Sequence, residues 1–129
     1  MRLREWFDRP ERWNKGAYFG LERGQKVSSC LLGGVWLAED GRVGRLPILR
    51  LRKAVYRVVG NFVWARDPSM WNDERATFEQ IQQVAEVYDA LKDQEILDSL
   101  GSSLQFDGED VSVERIPVVV PLSLECVGV

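Results

Sequence analysis

The chain has 129 residues, 45% of them hydrophobic, with a net charge of −3 and no histidine. That is one domain's length with ample material for a core, which excludes wholesale disorder. The missing histidine excludes Ser-His-Asp and Cys-His catalysis and His-ligated zinc.

Residues from Arg2 to about Arg12 have helical potential through Leu3, Trp6 and Phe7, interrupted at Pro10. Trp13 to Tyr18 reads as a turn into a short extended piece, and Gly20 and Gly24 bracket a loop. Ser28 or Ser29 is the expected N-cap of a helix from Cys30 to about Glu39. Cys30, Leu31, Leu32, Val35, Trp36, Leu37 and Ala38 surround that helix with apolar side chains, so it should be central and buried. Gly33-Gly34 within it would lower its intrinsic stability by about 1 kcal/mol per glycine, which is tolerated where another backbone comes close. Gly41 to Gly44 is a link.

A third helix should start near Pro47, with an apolar stripe of Ile48, Leu51, Val55, Val58, Val59 and Phe62. Arg50, Lys53 and Arg57 fall on one basic face of it, and Gly60-Asn61 ends or kinks it. After the turn Asp67-Pro68-Ser69 comes Trp71-Asn72-Asp73. Thr77 and Gln80 then make a capping box for a fourth helix to about Leu91, with Phe78, Ile81, Val84, Ala85, Tyr88 and Leu91 as its stripe. Glu79, Glu86, Asp89 and Asp93 form its acidic outer face. Beyond Gly101, Leu104 to Val113 reads as a hairpin, and Ile116 to Val129, with Pro117 and Pro121, as an edge strand or extended arm.

The charge is uneven: residues 1–66 carry 14 Lys/Arg against 6 Asp/Glu, and residues 67–129 carry 3 against 14. Pairing of the basic third helix with the acidic fourth is the preferred reading, and a basic face for an acidic partner is the other. The expected fold is α+β, mainly α: a compact bundle of about four helices, residues 1–100, with a C-terminal β-hairpin or extended arm, residues 101–129, packed on the same domain. No apolar run approaches the roughly 20 residues of a membrane span. The N-terminal residues lack the apolar stretch of a signal peptide. Two distant cysteines, Cys30 and Cys126, fit free thiols in a reducing cytoplasm, with a disulfide between them as the alternative.

Trp13, Gly16-Ala17, Gly24, Cys30-Leu31-Leu32-Gly33-Gly34 and Trp71-Asn72-Asp73 with Thr77 and Gln80-Ile81 resemble the pattern of a family of small uncharacterised proteins of bacteria, chiefly actinobacteria, and their phages. The likeness spans about residues 13 to 92. Gly34 departs from it where alanine is usual, and the C-terminal extension is not part of it. The resemblance implies a compact, mainly helical cytoplasmic fold and a phage origin, and brings no activity, cofactor or catalytic residue.

The candidate sites have structural counter-readings. Trp71, Asn72 and Asp73, with Cys30, could line a small-molecule or catalytic site, but capping chemistry and a core tryptophan account for the same residue types. Cys30, in a first helical turn, could have a lowered thiol pKa, but free cysteine is more often simply buried. Asp73, Glu74 and Glu79 lack metal-site spacing, so no metal or cofactor is expected. Arg50, Arg52, Lys53 and Arg57, with Arg45 nearby, are the nucleic-acid candidate, disfavoured by the acidic balance and the lack of a nucleic-acid-binding motif. The preferred function is a small non-enzymatic binding protein acting on a host protein or on itself, with a homodimer through the C-terminal arm as one form. A small-molecule-binding or catalytic protein ranks second, a nucleic-acid accessory protein third.

Overall fold

The computed structural model describes residues 1–105 in backbone and residues 1–101 in side chain. In chain order it contains α1 (Leu3–Trp6), a 3-10 turn (Pro10–Arg12), β1 (Phe19–Glu22), β2 (Gln25–Ser29), α2 (Leu31–Ala38), α3 (Arg45–Val59), α4 (Phe62–Arg66), α5 (Pro68–Glu74) and α6 (Phe78–Gln105). The architecture is α+β and mainly helical, as expected. The chain divides between Leu91 and Lys92. The first unit, Met1–Leu91, holds every element up to α5 and the first half of α6. Of the second, the described part is the helical run on to Gln105, where Ile96, Leu97 and Leu100 are exposed.

The core of the first unit gathers Leu3 and Phe7, Leu31 and Val35 from α2, Leu51, Ala54 and Val55 from α3, Trp71 from α5, and Ile81, Val84, Ala85 and Tyr88 from α6. On α3 and α6 these positions recur three and four residues apart, so each helix buries one stripe. Thr77 starts α6 with the expected reciprocal pair: the Gln80 amide donates to Thr77 Oγ1 at 3.2 Å, and the Thr77 amide donates to Gln80 Oε1 at 3.1 Å. Thr77→Ala should therefore cost about 1 kcal/mol; an unchanged melting temperature would remove this cap from the account.

Several sequence expectations need correction. The loop expected between Gly20 and Gly24 is a β-hairpin. Arg23 and Gly24, at φ 54° and 80°, form its two-residue turn, and left-handed φ at both positions matches the right-handed twist of the flanking strands. Val27 is an extra residue on β2, because Leu21 faces Lys26 while Gly20 faces Ser28. The α2 N-cap is Cys30, whose Sγ accepts from the Gly33 amide at 3.4 Å. Ser29 instead accepts from the Trp6 indole at 2.9 Å and donates to the Cys30 carbonyl at 2.8 Å. The segment around Trp71 is itself a helix, capped by Asp67, which accepts from the Met70 amide at 3.1 Å. Leu104 and Gln105, expected to open a hairpin, are helical. The rest of that hairpin, the Pro117/Pro121 arm, its dimer and Cys126 lie outside the described residues.

The two glycines of α2 serve close packing. A Cβ on Gly33 would overlap the Tyr18 carbonyl oxygen, and one on Gly34 would overlap the Phe7 ring. Backbone approaches the first, as expected, but a side chain approaches the second.

Candidate functional site

Asn72 is the polar centre of the first unit and has no exposed surface. Its Oδ1 accepts from the Trp13 indole N–H at 2.7 Å and from the Leu31 amide at 2.9 Å. Its Nδ2 donates to the Asn14 carbonyl at 3.2 Å and to Asp73 Oδ1 at 2.9 Å. Two donors converge on one side of the amide and two acceptors on the other, so only one orientation of the group satisfies all four. Asp73 extends the set by accepting from the Gly16 amide at 2.8 Å. One amide thus ties the 13–16 loop, the first turn of α2 and α5 together.

Among the four residues proposed as a binding set, Trp71, Asn72 and Cys30 are 1%, 0% and 6% exposed, and only Asp73 reaches the surface. The structure does bring Asn72 to the start of α2, beside Cys30. There its carbonyl satisfies the Leu31 amide, one of the donors a helix start leaves open. Burial pushes the Cys30 thiol above its ordinary pKa. A thiol-specific reagent should therefore leave Cys30 unmodified at pH 8 in a Cys126→Ser protein, until denaturant exposes it. Rapid native labelling would show an open, ionised thiol instead. Among the described residues no group of three or more His, Cys, Asp or Glu side chains gathers as a metal site would require.

The basic face does not hold together as expected. Arg50 is turned inward and is 7% exposed. Its Nη1 donates to Glu39 Oε2 at 3.1 Å and to Tyr88 Oη at 3.0 Å, and Tyr88 donates to the same Glu39 oxygen at 2.6 Å. Burial and the Glu39 carboxylate raise the Tyr88 phenol above its ordinary pKa, so it stays a donor. The acidic face of α6 is corrected in the same way. Asp89 is 3% exposed and accepts from the Leu3 and Arg4 amides at 2.9 and 3.0 Å, capping α1. Glu79, Glu86, Lys53 and Arg57 remain exposed and form no ion pair among the described residues.

What α3 shows outward is different from a basic stripe. Leu46, Leu49 and Tyr56 are 66%, 39% and 47% exposed. At 100° per residue they share one arc with Lys53, with Arg45 and Arg52 along one border and Arg57 along the other. All four of these cations are exposed, and the helix has no acidic residue. The hydrophobic pattern hid this strip, because the apolar positions that periodicity selects on α3 are the buried ones.

No helix among the described residues is long and apolar enough to cross a membrane. No family model, curated protein or solved structure matches the chain.

Proposed function

We propose that the protein is a non-catalytic interaction protein of the cytoplasm, and that the outward face of α3 holds an acidic segment of a partner protein. The carrying observation is the exposed strip Leu46, Leu49 and Tyr56, bordered by Arg45, Arg52 and Arg57. Exposed apolar side chains in a row mark contact surfaces, and a cationic border selects for acids and speeds encounter. The strip runs about 15 Å along the helix, the length of roughly three helical turns of a partner. A duplex or an anionic bilayer spreads charge over a wide area, which suits a chain of net charge −3 poorly. The resemblance to phage proteins makes a host protein the natural partner.

A photo-crosslinking amino acid at position 49 or 56 should trap a protein in host cells, and the same group at position 86 should not. Trapping of nucleic acid, or equal trapping from all three positions, refutes the reading.

A further inference from the structure

A second surface, away from the α3 strip and independent of its reading, is built around one tryptophan. A cleft of about 290 Å³ lies between the 3-10 turn and β2, lined by Trp6, Arg9, Glu11, Arg12, Lys26 and Val27. Its lining includes three cationic residues and one acidic residue. Their engagement differs. Arg9 is held by Asp8, with Nε and Nη2 at 3.1 and 3.3 Å from its two oxygens, and this contact keeps the Asp8 carboxyl below its ordinary pKa. Arg12 is not held this way. Its guanidinium lies 4.8 Å over the Trp6 ring, and its Nε is 3.9 Å from Asp8 Oδ1, beyond hydrogen-bond range. The side chain is only 32% exposed, yet none of its N–H groups donates to an acceptor among the described residues. Lys26 is likewise held by rings, 5.1 Å from the Phe19 centroid and 5.4 Å from that of Trp36, with no carboxylate partner among those residues.

The geometry points to a binding site for a phosphate group, with Arg12 as its principal ligand and Lys26 as the second cation. Aromatic contact fixes both cations in place without using their N–H donors. The planar fork of Arg12 then offers parallel donors to an oxyanion, and being held in advance reduces the ordering cost of binding. Trp6 is itself fixed from behind, since its indole N–H donates to Ser29. With Arg9 engaged by Asp8, Arg12 and Lys26 remain as the two cations for a phosphate dianion, which they match better than they would a single carboxylate. The volume suits a small phosphorylated molecule: drug-sized sites begin near roughly 300 Å³.

The test is a nitrogen-15 NMR titration of the full chain with inorganic phosphate and, separately, with adenosine monophosphate. Sodium chloride holds the ionic strength constant. Saturable shifts of the Arg12 Nε–H and Trp6 indole signals are expected. Arg12→Gln should weaken phosphate binding about tenfold, since a charge-assisted hydrogen bond is worth that much. Arg12→Lys should weaken it less, and Arg75→Gln, which removes a cation from Trp64 instead, should leave it unchanged. Tighter binding of the nucleotide would identify the source as a nucleotide, and equal binding as free phosphate. Lys26→Gln is the second variant should Arg12→Gln fail to fold. The proposal is overturned if neither titration saturates, if chloride reproduces the shifts, or if binding survives Arg12→Gln intact.

Discussion

Asn72→Leu should lower stability by about 4 kcal/mol, the largest loss expected from any single change to this molecule's polar interior. Leucine keeps roughly the volume, so the effect is almost wholly one of hydrogen bonds. The Trp13 indole and the Leu31 amide lose their acceptor, and the Asn14 carbonyl loses a donor. An orphaned buried polar group costs about 1–3 kcal/mol; one fully buried orphan, the Leu31 amide, and two part-buried ones are created. The denaturant midpoint should fall with an unchanged slope. Asn72→Asp offers a sharper check. It keeps the acceptor, removes both donors and sets a second carboxylate against Asp73 Oδ1, now 2.9 Å from Nδ2. Burial and that neighbour raise the folded-state pKa of the introduced carboxyl above its unfolded value of about 4. The folded state then binds the extra proton, so stability falls as pH rises through this window and is recovered in acid. A loss below about 1 kcal/mol for Asn72→Leu, or no acid recovery for Asn72→Asp, means the hub does not hold in solution.

The second large effect lies at Arg50. Arg50→Met should cost about 3 kcal/mol, because it takes the paired cation from the Glu39 carboxylate in a site where that side chain is 13% exposed, and the Tyr88 hydroxyl beside it is neutral. Adding Glu39→Gln should return part of the loss, since the charge that lost its cation is then gone. Tyr88→Phe alone should cost about 1 kcal/mol, the worth of an ordinary hydrogen bond. Melts of the two single variants and the double variant decide the matter. Strictly additive losses would show that Arg50 and Glu39 do not act as a pair.

The parts legible in the sequence are those fixed by near neighbours. Thr77 and Gln80 cap each other across one turn, and the stripe of α6 and that of α3 as far as Val59 follow from helical period, whereas Phe62, expected on the same stripe, belongs to α4. Gly60, at φ 72°, ends α3 where its position suggested. The hairpin was hidden because its turn is Arg23-Gly24, without the Asn-Gly or Asp-Gly signal, and because Gly20 weakens the first strand's pattern. A Cβ there would run into Ser28 Oγ, so a larger residue would have to turn that hydroxyl away from Asn14. Arg50 and Asp89 were misread for one shared reason. A helical wheel gives the direction of a side chain but not what lies across from it, and their partners are Glu39, just after α2, and the amides of Leu3 and Arg4, 86 and 85 residues away. For Asn72 and Asp73 the chemistry of capping was readable, while the amides they serve, at Leu31 and Gly16, were not. The Arg12–Trp6 contact carries no local pattern, because a cation and a ring six residues apart on an interrupted helix have no fixed relation.

The carboxylate of Asp89 also sets a timetable. The amides of Leu3 and Arg4 find their acceptor 86 and 85 residues later. The 13–16 loop and the start of α2 wait in the same way for Asn72. Contacts of such long sequence separation form slowly, because the intervening chain must be closed into a loop first. The growing chain therefore carries its Trp6 and Trp13 segment exposed until nearly half of α6 has been made, and the first unit closes late. A ribosome stalled before Asp89 should hold a nascent chain that protease cuts near Trp6 and Trp13, and a stall well past that residue should hold one that resists.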